Sequence, residues 1–286
     1  MSRHAPPQDP PLLRHLHGGV LTLTMNRPAR LNGWTQEMMS ALKDALSDAS
    51  RDEEVRAVVL TGTGRYYCAG VNLGATLKLA HPRTLHAQIV AHNQALFDSF
   101  LTLTKPIAVA LNGHAIGASV TSATLCDALL AAEGATLSTP FAALGVPPEG
   151  CSSVMFERLM GAEEAGRMLG EEGWRPEARE ALAAGLVTAA CAPDELLASA
   201  QALAAEWAAA GRARSFRGGL TREELMAVNA RESRVLADAF LAPPFLRAQL
   251  RFLLKKRRLA PALVFGALLA TRPLWAPLLP RPQGAA

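Results

Sequence analysis

The chain has 286 residues, half of them apolar, with 29 Lys and Arg against 25 Asp and Glu. That length supports one large core, or a core with a helical appendage. A net charge of +4 is too small and too dispersed for a nucleic-acid partner, yet it suits an acidic small molecule. Cys68, Cys126, Cys151 and Cys191 form no Cys-x-x-Cys pair, so neither a zinc site nor a disulfide framework is expected, and free thiols fit a reducing cytoplasm.

In chain order, Met1–Pro11 is proline-rich and expected to fray. Leu12–Leu16 and Val20–Met25 flank Gly18-Gly19 and read as a hairpin. Thr35 is the predicted N-cap of a helix running to about Ser50, with Met38, Leu42, Ala45 and Leu46 on one face. Val55–Thr61 has the composition of a strand. A long helix is predicted over Pro82–Leu103, with Leu85, Ile89, His92, Leu96 and Phe100 at helical spacing. Ile107–Leu111 is a short apolar run suited to a buried strand, broken by Asn112-Gly113. Gly117-Ala118-Ser119 then opens a buried helix over Val120–Leu125. Asp127–Ala132 and Ala135–Ser138 read as short strands. From Cys151 onward the pattern is helical: Ser152–Met160, Ala162–Leu169, Pro176–Ala184, Asp194–Ala210, Thr221–Phe240 and Pro244–Arg258, with a hinge expected at Gly211–Gly219. Leu259–Leu279 is apolar but interrupted by Arg272-Pro273, whereas a membrane span needs about 20 continuous apolar residues. Packing on the body or on a neighbouring subunit is the first expectation for this tail, and contact with a membrane surface the second.

Two junctions stand out. A strand that turns at glycines into a helix start leaves main-chain N–H groups unpaired. Such a start at Gly117-Ala118-Ser119 can hold a phosphate or the oxyanion of a reaction. No Gly-x-x-x-x-Gly-Lys-Ser/Thr run argues for a nucleotide P-loop. After Val55–Thr61, the run Tyr67-Cys68-Ala69-Gly70-Val71-Asn72-Leu73 has the same character, its small residues letting a ligand approach the main chain. Taken in order with Asn112-Gly113-His114-Ala115-Ile116-Gly117-Ala118-Ser119, it resembles the paired signature of the crotonase (enoyl-CoA hydratase/isomerase) superfamily. The stretch from Thr139-Pro140-Phe141 to Pro148-Glu149-Gly150-Cys151-Ser152-Ser153 is most similar to the peroxisomal-type 3,2-enoyl-CoA isomerases, and also to the CoA-binding part of chromodomain-Y-like proteins. The resemblance covers roughly residues 12–258.

It implies an α/β fold: a crotonase-like ββα spiral over residues 12–200 and a C-terminal helical trimerisation region over 201–286. It implies an acyl-CoA thioester as substrate, no separate cofactor and no metal, and a homotrimer or a hexamer. By motif position, the main-chain N–H groups of Val71 and Ala118 would hold the thioester oxygen. The positions where hydratases carry two glutamates hold Thr121 and Phe141, neither able to act as a carboxylate base. Glu149 stands where the resembled isomerases carry their catalytic glutamate. One carboxylate suffices to move a proton from C2 of a 3-enoyl thioester to C4. The apolar neighbours Phe141, Val146, Pro147 and Pro148 would raise its pKa, and the helix start near Ser152 would lower it. Cys68, Ala69, Gly70, Gly117 and Phe141 would line the substrate site. Arg27 and Arg30 stand where relatives place basic residues near the CoA phosphates, with solvated surface charge as the competing reading. The same two readings apply to Lys255-Lys256-Arg257-Arg258. Asn72 departs from the aspartate common in relatives and is read as structural.

Other motifs carry less. His114 is read as structural. His81, His86 and His92 miss the three- or four-residue spacing of a helical metal pair. Ser152-Ser153 lacks a nucleophile elbow. No signal peptide is expected, and Gln283-Gly284-Ala285-Ala286 is not a peroxisomal address, so the expected location is cytoplasmic. Two rivals to the isomerase stay open: another crotonase-fold acyl-CoA enzyme, and a non-catalytic CoA-binding module.

Overall fold

A computed structural model describes residues 9–71 and 80–280. Strands β1 (Leu12–His17) and β2 (Val20–Met25) pair antiparallel. Their two-residue turn places Gly18 and Gly19 at φ 57° and 82°, which glycine adopts without a side-chain clash. Helix α1 (Gln36–Arg51) starts as expected: the Thr35 hydroxyl accepts the Met38 N–H, and Met38, Leu42, Ala45 and Leu46 are buried.

From there the chain winds through three turns of one pattern. Each turn supplies a strand to a large sheet, a strand to a small sheet, and a helix. They are β3 (Ala57–Gly62), β4 (Tyr66–Cys68) and α2 (Pro82–Leu101); β5 (Ile107–Leu111), β6 (His114–Ile116) and α3 (Ala118–Thr124); β7 (Ala128–Ala132), β8 (Leu137–Ser138) and the short α4 (Phe141–Leu144). Then follow α5 (Ser152–Met160), α6 (Ala162–Leu169), α7 (Ala178–Ala183), β9 (Ala189–Cys191), α8 (Leu196–Ala209), α9 (Arg222–Phe240), α10 (Pro243–Lys255), α11 (Leu259–Ala270) and α12 (Arg272–Trp275). The large sheet has the order β1-β2-β3-β5-β7-β9, parallel from β2 onward, and the small parallel sheet runs β4-β6-β8. This is the ββα spiral expected. Strands β4, β6 and β9 were not expected, and β9 interrupts the half that reads as helical.

Alternation along each strand divides the large sheet into two faces. Val58, Leu60, Ile107, Val109, Leu111 and Leu129 join the main core with α1 and α2. Ala57, Val59, Ala108, Ala110 and Ala128 face the other way, against Ala200, Ala204 and Trp207 of α8. Alanines on both surfaces let that helix lie close to the sheet. Helix α8 therefore runs through the expected division at residue 200.

The segment expected to be a hinge, Gly211–Gly219, is instead clamped. Asp127, at the head of β7, accepts from Ile107 N–H, Ser215 N–H and Ser215 Oγ, and pairs with Arg214 Nη1 at 2.6 Å. Both partners of that pair are almost fully buried. Arg214 Nη2 donates to Leu125 O, and Arg217 donates to Leu186 O and Gly185 O. A buried carboxylate is tolerated only when its lone pairs are filled, and filling them fixes this loop.

Helix α9 lies along α2. Asn229 Nδ2 donates to Gln94 O and Asp98 Oδ1, and His86 Nε2 meets Asp238 Oδ1 at 2.9 Å. The apolar tail forms α11 and α12 and folds back on α10 and α2, where Ala262 and Phe265 are buried with Phe245 and Leu253. Packing on the body, the first expectation for it, is thus what the described residues do.

Candidate active site

A cavity of about 190 Å³ opens where three turns of the spiral meet one side of α2 and the C-terminal end of α9. Ala69, Gly70, Val71, Gly117, Ala118, Phe141 and Glu149 all line it. Leu85, Ile89, Leu96, Leu236 and Phe240 make the rest largely apolar, and Gln88, His92 and Asn93 add polar groups from α2.

The two glycine-containing junctions are tied together by one hydroxyl. Ser119 is fully buried. Its Oγ accepts the Ile116 N–H at 3.1 Å and lies 3.0 Å from Ile116 O and 3.3 Å from Cys68 O. Gly70 sits at φ 85°, and a Cβ there would come within 2.8 Å of Ile116 O, so only glycine permits this approach. The neighbouring main-chain groups are occupied: Gly70 O accepts from Trp34 N–H, Gly70 N–H meets Cys68 Sγ, and Gly117 N–H bonds Ser138 O. The amides of Val71 and Ala118 find no acceptor among the described residues. Two unpaired donors on the wall of one cavity favour an oxygen that carries or gains negative charge.

Glu149 leaves the Pro147-Pro148 run, and its main-chain oxygen receives the Ser152 hydroxyl and N–H. Glu149 is 9% exposed, and its carboxyl has no hydrogen-bond partner among the described residues. Burial, and secondarily the charge of Glu232, push its pKa from 4.5 up to about 8. The upward influence expected from the apolar neighbours of this carboxyl is thus present. Glu149 is the only carboxylate among the described cavity residues. Thr121 spends its hydroxyl on Ala118 O.

Glu232 is the participant that sequence reading missed. From α9 it reaches the start of α5, accepting Cys151 N–H at 2.6 Å and Ser153 N–H at 3.0 Å. Burial raises its pKa against those hydrogen bonds, which lower it. In sequence it is one more charge on a charged helix, 81 residues from Cys151, and nothing local distinguishes it.

Three expected contacts lie elsewhere. Cys68 is fully buried beneath the junction, its sulfur turned to the Gly70 N–H, and does not reach the cavity. Arg27 is held by Asp9 O, Asn26 O and Glu37, and Arg30 is exposed away from the cavity wall. Asn72 lies outside the described residues. His114 bonds Thr136 Oγ1 and packs edge-on against Tyr66. Among the described residues no cluster of His, Cys, Asp or Glu could hold a metal ion.

The sequence pattern of the enoyl-CoA hydratase/isomerase family matches residues 15–233. Enoyl-CoA delta isomerase 2 from Rattus norvegicus is 38% identical over 175 residues, covering 60% of this chain and 44% of that protein. Its Homo sapiens counterpart is 35% identical over 256 residues, covering 84% of this chain and 62% of the relative. The chain thus spans between 44% and 62% of the length of these isomerases. A solved enoyl-CoA hydratase/isomerase from Pseudoalteromonas atlantica T6c superposes with a TM-score of 0.74 at 29% identity, over 86% of this chain and 97% of that one. The chain belongs to the enoyl-CoA hydratase/isomerase family, and its fold is the crotonase fold.

Proposed function

We propose that this family member is an enoyl-CoA isomerase that moves a 3-enoyl-CoA double bond to the 2-position. Glu149 takes a proton from C2, the C2–H electron pair enters the conjugated dienolate, and the same carboxyl returns the proton to C4. The amides of Val71 and Ala118 hold the thioester oxygen as its charge grows. A donor in that role is worth about 3 kcal/mol of barrier. No water is consumed and no cofactor is needed beyond the CoA that the substrate carries.

The observation that supports this reading over hydration is that Glu149 is the one carboxylate among the described residues of the cavity wall, with Thr121 and Phe141 at the positions of the hydratase glutamates. A carboxyl with a pKa near 8 suits both halves of the reaction, since it can take and return a proton near neutrality. The apolar wall from α2 and α9 suits an acyl chain.

The test is conversion of a medium-chain 3-enoyl-CoA to its 2-enoyl isomer by the purified protein and by Glu149→Gln. Turnover in the parent with a loss of at least about a hundredfold in the variant is expected. Equal rates in both remove Glu149 from the mechanism. Thioester binding without turnover in either favours a different acyl-CoA reaction on the same scaffold.

A further inference from the structure

Helices α10, α11 and α12 turn one apolar surface inward and leave another in water. Inward, Phe245 stacks on Phe240 at 4.4 Å and meets the Phe265 edge at 6.4 Å. The tail is fastened by Arg83 Nε to Leu278 O and by Arg272 Nε to Leu241 O. Outward, Leu259, Leu263 and Leu274 are 64%, 75% and 79% exposed. Leu259 and Leu263 stand one turn apart on the same side of α11. Phe252 and Leu254 add half-exposed bulk from α10.

Charge singles this region out. Of the chain's 29 basic and 25 acidic residues, eight basic and no acidic ones follow Asp238, which leaves 21 basic against 25 acidic up to and including it. Lys255-Lys256-Arg257-Arg258 are exposed at the junction of α10 and α11, directly before Leu259. A leucine face bordered by cations and free of carboxylates matches anionic headgroups above hydrocarbon. Two copies meeting face to face on it would set like charges together.

We infer that α10–α12 dock the protein on an anionic lipid surface, with the exposed leucines in the headgroup boundary. The element lies on the bilayer. Among the described residues no single helix is long and apolar enough to cross; α11 and the segment after it reach the length and composition of a span only as a pair bent by 59°. The docked element shares a wall with the cavity, because Phe240 lines the cavity and stacks on Phe245.

The full chain is floated with vesicles of phosphatidylcholine alone and with about one third phosphatidylglycerol. Binding to the anionic vesicles is expected, weakened at least about tenfold by neutral lipid or by about 0.5 M salt. Leu263→Asp with Leu274→Asp should abolish it while leaving turnover of soluble substrate unchanged. Lys255→Glu should weaken it about fivefold or more. The inference is overturned by absence of binding to either vesicle or by binding insensitive to the leucine substitutions. It is equally overturned by sedimentation showing that those substitutions dissociate an oligomer, which would assign the face to a second copy.

Discussion

Replacing Glu149 by Gln should abolish activity and stabilise the fold at the same time. The carboxyl titrates near 8 in the folded protein against 4.5 ordinarily. Between those values the folded state binds the proton more tightly than the unfolded state does. Stability therefore falls as pH rises through that window. At about 1.36 kcal/mol per pH unit, the full interval amounts to roughly 5 kcal/mol, an upper bound set by how far the cavity relaxes around the charge. Gln fills the same space and never ionises. The stability gap between variant and parent should be near zero at pH 5 and grow to about 10 °C in midpoint above pH 8. Thermal unfolding of both proteins across pH 5–9, beside the isomerase assay, reads both effects. A gap that does not change with pH would refute the assigned burial of Glu149. A gap that grows while the variant stays fully active would separate the burial from the chemistry.

If Glu149 is the base, kcat/KM of the parent should climb with pH and level off above about 8, because only the ionised form accepts the C2 proton. Glu232→Gln removes a like charge and should move that midpoint to lower pH; an unmoved midpoint would mean that burial alone sets it. Arg214→Met leaves Asp127 buried without its cation and should cost about 3–5 kcal/mol in urea denaturation. A cost under about 1 kcal/mol would mean that the remaining donors to Asp127 suffice.

Much of this was legible in the sequence because the relevant signals are local. Thr35 caps α1, the glycine pair turns the β1–β2 hairpin, and α5 and α6 have the predicted bounds. The two glycine-containing junctions and Glu149 were recognisable as motifs, and they meet at one cavity. What escaped depends on distant partners. Strands β4, β6 and β9 are three residues each, too short to show a period of two, and exist because neighbouring strands pair with them. Glu232 acts through amides contributed by a different helix. Ser119 reads as one small residue in a buried helix until Ile116 and Cys68 converge on its hydroxyl. Arg27 and Arg30 were placed near a ligand by resemblance; Arg27 meets the Asp9 and Asn26 carbonyls and Glu37, and Arg30 is exposed outside the cavity wall.

The winding of the chain also bears on how the molecule matures. Residues 71, 118 and 149 reach the cavity from three successive revolutions of the spiral, and each revolution is held by parallel pairing between segments far apart in sequence. Such long-range pairings form slowly. No revolution holds both amides and the carboxylate by itself. Turnover should thus be the last property to return on refolding, after helix content and tryptophan burial have recovered, which makes catalysis itself a gauge of complete assembly.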